Sequence, residues 1–499
     1  IGYILAFSGP MISKRDSSDK TMKIFKNFIG LAALALCLGF ASCSSDDDAP
    51  SYSNVAVSNS KLMTILKAKG YQFDENGKML LDDKANSTTS LDLSGTKVDT
   101  AALKELSVFP NLKELNLSSN GYGPVFHIAS LPSQITGLDL QGNDIYDFDG
   151  LVTAKVENDE VKATILHEFT KLYLPASCKY NVEDLMPFYT QNEAENKTVD
   201  MQMVNDRGSL EKYNTLREIP DTYFRTFLKM KFASLFVDDT HIDISKPMGL
   251  NEIGESITLH YANEFADLDK IASISGIEYF INNPYYNSFF VSLGFDHVNE
   301  FNVGYLMPRA NIKSITLKGV NFVNGIDLSK ATGLASFILD GFKSVSELDL
   351  SNTLVGNQEI TEFDKSIANG LCLFNSEDLE SITFGKNIKG KALLMELVNL
   401  PNLKSIDLSS FKGFMNFFLL KLPNCQITYP NLEYVLGNDG NFFEKAIGED
   451  AQISFLVSKD DVFAQESTIS FINKFKDSLT DYEWLSYRKK GAFRWTRSI

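Results

Sequence analysis

Motifs of catalysis are sparse in this chain. Its five histidines, His127, His167, His241, His260 and His297, are scattered with no HExxH pair, and no P-loop, GxGxxG, GxSxG or CxxC run occurs. Those absences set aside zinc-peptidase, nucleotide-dependent, α/β-hydrolase and thioredoxin-type chemistry. Carboxylates are abundant, so a glycosidase-like pair stays open, but no spacing marks one. Cysteine is scarce as well. Cys37 and Cys43 sit in or beside an N-terminal apolar leader, and Cys178, Cys372 and Cys425 are too far apart for a disulfide framework or a metal-ligand set, so all three are expected in the core. Basic charge is in deficit: 47 Lys and Arg stand against 64 Asp and Glu, a net −17, which becomes −20 without residues 1–42 and their five basic and two acidic side chains. Phosphate contacts need clustered Lys and Arg, so nucleic acid is not an expected partner and basic or neutral partners are favoured. No residue set calls for a cofactor or metal, and the expectation is a chain that is not an enzyme.

What is present is a repeat. Asn111–Asn120 reads NLKELNLSSN, with Leu112, Leu115 and Leu117 pointing one way and an asparagine closing the turn. The pattern recurs as Leu91, Leu93 and Thr96 before it and as Ile135, Leu138, Leu140 and Asn143 after it. Positions 91, 115 and 138 are 24 and 23 residues apart, about one coil of a stacked repeat. This is the leucine-rich-repeat signature, and it implies an α/β leucine-rich-repeat solenoid: strand-lined coils with short helices or irregular segments, helical head units and a C-terminal α+β cap.

Upstream of the repeats, Met22 is the expected start. Lys23 and Lys26 precede Phe28–Phe40, a 13-residue apolar run that has signal-peptide length and is too short to span a bilayer. Ala41-Ser42-Cys43 after it resembles a bacterial lipobox, departing from the family at Phe40, where leucine is usual. The resemblance implies acylation at Cys43 and anchoring in outer-membrane lipid, and two acyl signals hold where one does not. Ser44-Ser45-Asp46-Asp47-Asp48 looks like the surface-export signal of lipoproteins in anaerobic Gram-negative commensals. On charge alone it is a solvated tether.

The expected organisation is residues 1–42 as upstream segment and signal peptide, 43–60 as lipidated cysteine and acidic tether, 61–150 as first head unit and repeat block, 151–217 as a junction with one weak repeat around Phe169, Leu172 and Leu174, 218–440 as second head unit and repeat block, and 441–499 as cap. The second head, Ile219-Pro220-Asp221 before a helical Tyr223–Phe236 and a repeat-like GIEYFINN at 276–283, resembles a unit common in commensal surface proteins, whose acidic segment reads as a calcium loop. Here both acidic segments are degraded. Counted from Asp74 in the first head, Lys78, Met79 and Ala85 occupy positions 5, 6 and 12 of an EF-hand loop, where an oxygen ligand, glycine and glutamate belong. The second head's segment around Asp238 and Asp239 has Val237, Thr240, His241 and Ile242 inside it. No calcium is assigned.

From residue 312 the apolar triplets are centred on Ile315, Ile326, Phe337 and Leu348, steps of 11, so successive triplets are expected on opposite walls of a coil of about 22 residues. The steps of 34 to Ile382 and 24 to Ile406 return Ile382 to the wall of Ile315 and Phe337, with one coil near Ile360 lacking a clear motif. The alternating half-coils resemble BspA-type and internalin-like surface repeats. Beyond Gly440 the period is lost, and a cap is expected to close the last edge, with Trp484 and Trp495 beside Arg488, Lys489, Lys490, Arg494 and Arg497.

In a strand written LxL the middle residue faces solvent. That column reads Asp92, Asn116, Asp139 and Tyr173, then Thr316, Ile338, Thr383 and Asp407, flanked by Glu114, Lys171, Ser314, Ser336, Ser381 and Ser405. It is the candidate binding face. The bland alternative is a solvated strand surface. The functional expectation is a surface-exposed outer-membrane lipoprotein that binds a host or microbial protein, less readily a glycan; the alternative is a periplasm-facing accessory lipoprotein.

Overall fold

The computed structural model describes residues 50–157, 160–195, 197–246, 256–259, 266–286, 289–294, 299–362 and 369–480. Cys43, the leader, the Ser44–Asp48 run, His260, His297, both tryptophans and their basic neighbours lie outside the described residues. The fold is mixed α/β, mostly strand, with no closed barrel among the described residues.

Strand Tyr52–Ala56 pairs antiparallel with Lys78–Leu80, and Val57 after it is buried in the first core. The expected tether 43–60 is therefore folded from Tyr52 on, because Val57 has a core to enter. Helix Ser60–Ala68 follows. Asn59 caps it by accepting the Leu62 N–H, and Leu62 and Leu66 turn inward. Strands Ser90–Asp92, Glu114–Asn116, Gly137–Asp139, Lys171–Leu174 and Asp200–Val204 then pair in parallel, in chain order, and Leu210–Lys212 closes the edge antiparallel. Leu91, Leu115, Leu138, Leu172 and Met201 form one buried inward row, each leucine contributing about 2 kcal/mol by burial. Asparagines tie consecutive coils together. Asn143 Nδ2 donates to Leu140 O at 2.8 Å and Leu117 O at 3.0 Å, and its Oδ1 accepts the N–H of Asn120 and of Tyr122 at 3.0 and 3.1 Å. Asn120 repeats this one coil earlier, donating to Leu117 O and Leu93 O and accepting from Lys97 N.

The first sheet therefore does not end near residue 150. Two of its parallel strands come from 151–217, the segment expected to be a junction with one weak repeat. The antiparallel hairpin Val152–Glu157 with Glu160–Ile165 and the helix Leu185–Ala194 lengthen the steps from Leu138 to Leu172 and from Leu172 to Met201, and so conceal the period. That segment also bridges the blocks, since Leu185 and Phe188 pack in the first core and Val182 and Met186 in the second.

The second head is helix Thr222–Phe232, with Phe224, Phe227, Leu228 and Phe232 inward. Asp221 serves two elements. One oxygen caps the helix at Tyr223 N and Phe224 N, and the other accepts Ala272 N and Ser273 N. GIEYFINN is not a strand. It forms the single helical turn Glu278–Ile281, held because the buried Glu278 carboxylate accepts the N–H groups of Gly276 and Gly304.

Among the described residues an 11-stranded sheet follows, parallel through Ser256–Thr258, Phe289–Leu293, Ile312–Lys318, Ser336–Asp340, Gly370–Phe374, Lys391–Val398 and Gly413–Leu420. It then forks to the antiparallel pair Tyr434–Asn438 and Phe442–Ala446, and to Ile453–Val457 with Leu479–Thr480. A side sheet of four strands, Glu347–Asp349, Ser381–Thr383, Ser405–Asp407 and Gln426–Thr428, forms the other wall. Ile382 pairs with Leu348 here, not on the wall of Ile315 and Phe337, whose next neighbour is Leu371. Extra chain after Leu350, including the turn Ile360–Glu362, lengthens one coil. Phe337 to Leu371 and Leu348 to Ile382 are both 34 residues, so the two walls shift together and the half-period of 11 stops reporting which wall a strand is on.

The blocks meet across a buried charged cluster. Arg309, 3% exposed, lies 3.2 Å from Asp147 Oδ1 and 2.8 Å from Glu183 Oε2, and Lys330 Nζ is 2.9 Å from Asp147 Oδ2. Tyr146 stacks on Tyr305 at 4.5 Å, and Tyr285 donates its hydroxyl to Glu183 O. Gly304 has no side chain because a Cβ would fall 2.6 Å from the Tyr180 ring. Asp184, fully buried, accepts from Asn181 at 2.8 Å. Burial, then the nearby Asp147 charge, push its carboxyl up to about 8, which favours the protonated form. A folded pKa above the unfolded carboxylate value of about 3.9 contributes stability that is full below pH 4 and lost as pH rises toward 8. Asp184→Asn should therefore flatten that decline, whose limit for one proton is about 1.4 kcal/mol per pH unit. Urea unfolding at pH 5 and pH 8 checks it: the variant gains on the wild type at pH 8.

Candidate functional site

Between the leucines of each first-sheet strand stands a residue turned away from the core, and pairing sets these opposite one another. Asp92, Asn116, Asp139, Tyr173, Gln202 and Lys212 form one row across six strands, about 24 Å long at strand spacing. The adjoining row is Ser90, Glu114, Gly137, Lys171 and Asp200. Gly137 is needed there: the Glu114 side chain lies across it, 2.5 Å from where a Cβ would sit, and so reaches Lys171 Nζ at 3.1 Å two strands away. Lys171 Nζ is also 4.9 Å from the Tyr173 ring centroid, and Tyr173 donates its hydroxyl to Asp200 at 2.6 Å. Gln202 donates to the other Asp200 oxygen at 2.7 Å. An aromatic ring is thus fixed at the centre of a polar face by a cation on one side and a carboxylate on the other.

The Asp and Asn members also serve the backbone. Asp92, Asn116 and Asp139 accept the N–H of Ser94, Ser118 and Gln141 at 2.9, 3.0 and 3.0 Å. Asp407 does the same for Ser409. The recurring LDLS and LNLS therefore encode a turn at the strand end, and the solvated-strand reading accounts for that part of the column. The backbone bond from Ser94 lowers the Asp92 carboxyl.

The eight predicted residues do not make one face. Thr316 and Ile338 are neighbours on the large sheet, where Thr316 is buried and Ile338 half-buried against an apolar cluster. Thr383 and Asp407 are exposed on the side sheet. Only the first four share an open row. Asp200 and Gln202 escaped the sequence reading, although Met201 and Met203 alternate with them at strand period.

No family model, curated protein or solved structure matches the chain. The site must be argued from its own geometry.

Two clefts lie elsewhere. One of about 330 Å³ separates Pro124 and Val125 of the first block from Tyr305, Asp327, Glu347 and Asp349 of the second. The other, about 520 Å³, is a shallow acidic hollow at Ser344, Glu377, Asp378 and Glu380. Among the described residues no three His, Cys, Asp or Glu side chains converge as metal ligands. Asp74 and Asp238, from the degraded acidic segments, close their own turns through Asn76, Lys78, Thr240 and His241 N–H groups. The thiols of Cys178 and Cys372 are held well above their ordinary range by burial, and that of Cys425 is pushed up to about 12, so none is a thiolate at neutral pH.

The hydrogen bond to Asp200, before any burial effect, pushes the Tyr173 phenol up to about 12. Asp200→Asn removes the anion that favours the protonated phenol, so Tyr173 should return toward about 10. Tyrosine Cζ chemical shifts followed through a pH titration test this. An unchanged midpoint would mean that the carboxylate does not hold the ring.

Proposed function

We propose that the chain is a leucine-rich-repeat solenoid displayed as a non-catalytic surface lipoprotein, which binds a macromolecular partner through the open face of its first sheet. The observation that supports this reading is the row Asp92–Asn116–Asp139–Tyr173–Gln202, exposed at Asp92 and half-buried at the rest, along five parallel strands around a fixed aromatic ring. Tyrosine flanked by hydrogen-bonding side chains on a rigid sheet suits protein recognition, because little side-chain freedom is lost on contact. The acidic balance of the chain favours a partner with basic or neutral patches. Acylation at Cys43 supplies the outer-membrane anchor in this reading, and the stretch between it and strand Tyr52–Ala56 the tether; a glycan is the second class of ligand.

The placement is tested by proteinase treatment of intact cells, with detection of the C-terminal region. Loss of signal while the outer membrane stays sealed is expected. Protection would favour a periplasm-facing accessory role. For the face, a ligand found by screening extracellular proteins and glycans should bind Tyr173→Ala/Asp139→Ala at least tenfold more weakly, about 1.4 kcal/mol. Undiminished binding would move the site off the first sheet.

A further inference from the structure

The four-stranded side sheet has an edge that opens on a cleft. Leu350 N–H donates to Thr383 O, and Ser346 O accepts the N–H of Ser381. By the alternation of a parallel ladder, residues 346, 348 and 350 therefore bond toward Ser381–Thr383, and the main-chain N–H and C=O of Glu347 and Asp349 face away from it. On that side lies the cleft of about 330 Å³ between the blocks. Residues 326–328, which hold the same place one coil earlier, line its far wall. There Gly325 O and Asp327 N–H are bonded to Leu306, so Ile326 turns its own N–H and C=O away from Leu306, to the cleft's side. Elsewhere on this wall successive coils pair, Leu306 with Ile326 and Leu348 with Ile382. Between Ile326 and Leu348 the ladder is interrupted, and among the described residues no backbone bond crosses the cleft there.

We propose that this cleft takes an extended segment of another protein, which adds as a strand to the edge Glu347–Asp349 and carries Lys or Arg on one face. Unpaired main-chain groups on a sheet edge bind an added strand, and the side chains around the edge select its sequence. The selection here is electrostatic. Glu347 and Asp349 project from the exposed face of the edge strand, Asp327 stands on the opposite wall, and no Lys or Arg is in the lining. Basic side chains opposite Glu347 and Asp349 complement that charge. The partner residue between them turns inward, as Leu348 does, toward a lining of Pro124, Val125 and Tyr305, where an apolar side chain fits. Tyr305 offers one more contact: it is 4% exposed and stacked on Tyr146 at 4.5 Å, and its hydroxyl has no hydrogen-bond partner among the described residues. The volume is near the low end for ligand clefts, about 300 Å³, which suits a short length of strand and not a folded domain. The segment selected thus reads basic, apolar, basic, and its site is separate from the open face of the first sheet.

A fluorescein-labelled Lys-Val-Lys-Val-Lys peptide, titrated with the full-length chain and followed by anisotropy, tests this. It should bind, and Glu347→Gln/Asp349→Asn should weaken binding at least tenfold. Both side chains are exposed, and asparagine keeps the oxygen that accepts the Ser351 N–H, so the variant retains the fold. The same peptide N-methylated at every internal amide keeps its charge but loses its strand hydrogen bonds, and should also bind at least tenfold more weakly. Tyr173→Ala/Asp139→Ala should leave the affinity unchanged, which separates this site from the first sheet. The proposal is overturned if the peptide does not bind, or if Glu347→Gln/Asp349→Asn binds it as tightly as the wild type. It is overturned equally if N-methylation has no effect, since attraction would then be to acidic surface alone, or if the first-sheet variant is the one that loses binding. Cellohexaose bound by the wild type and not by Glu347→Gln/Asp349→Asn, with no binding of the peptide, would give the cleft to a glycan instead.

Discussion

Arg309→Met should destabilise the protein by about 3–5 kcal/mol, the usual cost of deleting one partner of a buried ion pair. The guanidinium is 3% exposed between Asp147, also 3% exposed, and Glu183. With Arg309 gone, Lys330, whose side chain is 34% exposed, is left to offset both carboxylates. The desolvation penalty of two acids then falls on one partly solvated ammonium. Because the cluster joins two separate apolar cores, the variant should also lose cooperativity, with the first block and the second unfolding in distinguishable steps. Urea unfolding followed by circular dichroism and by tyrosine fluorescence measures both. Asp147→Asn/Arg309→Met should recover part of the loss, because it removes a stranded charge. A loss under 1 kcal/mol for Arg309→Met alone would mean that the stacked tyrosines and the bridging helix, not the ions, fasten the blocks.

Asn143→Ala should cost about 2–4 kcal/mol. The side chain makes four hydrogen bonds of 2.8–3.1 Å to backbone groups of two adjacent coils, and it is 4% exposed. Alanine leaves two carbonyls and two N–H groups without those partners, and each stranded buried group carries a penalty of about 1–3 kcal/mol, eased where water enters. Asn143→Asp keeps both acceptors but loses the donors and places a charge against carbonyl oxygens, so it should be no better than alanine at neutral pH. At the exposed Asp92 of the same block, alanine should cost within about 0.5 kcal/mol, as expected of a surface position. Thermal unfolding of the three variants side by side is the measurement; equal midpoints for Asn143→Ala and Asp92→Ala would remove the asparagine ladder from the account.

How much of this was legible in the sequence depends on the length of the steps. Where coils are 24 and 23 residues long, Leu91, Leu115 and Leu138 announce adjacent strands, and the column Asp92, Asn116, Asp139 comes with them. At Leu172 the motif was visible but its place in the sheet was not, because the hairpin at 152–165 intervenes. At Gly370–Phe374 even the motif was lost. Every residue of GLCLF is buried, so it shows no alternation of polar and apolar side chains, and a sheet buried on both faces reads as a plain apolar run. Ile338 shows the same effect. Its outward position was read correctly, but its openness was not, since period 2 tells which side a residue faces and not whether that side meets water.

By itself, the sequence determined the local pattern: inward leucines, the turn-forming Asp or Asn at strand ends, the asparagine that stitches one coil to the next, and the helix cap at Asp221. These depend on neighbours within one coil, and spacing encodes them directly. Only the tertiary structure decided which wall each later strand joins, that 151–217 completes the first sheet, and that Asp147, Glu183, Arg309 and Lys330 meet. Those pairings bring together residues up to 183 positions apart, and their energies come from burial and from the exclusion of water, which no one-dimensional period records.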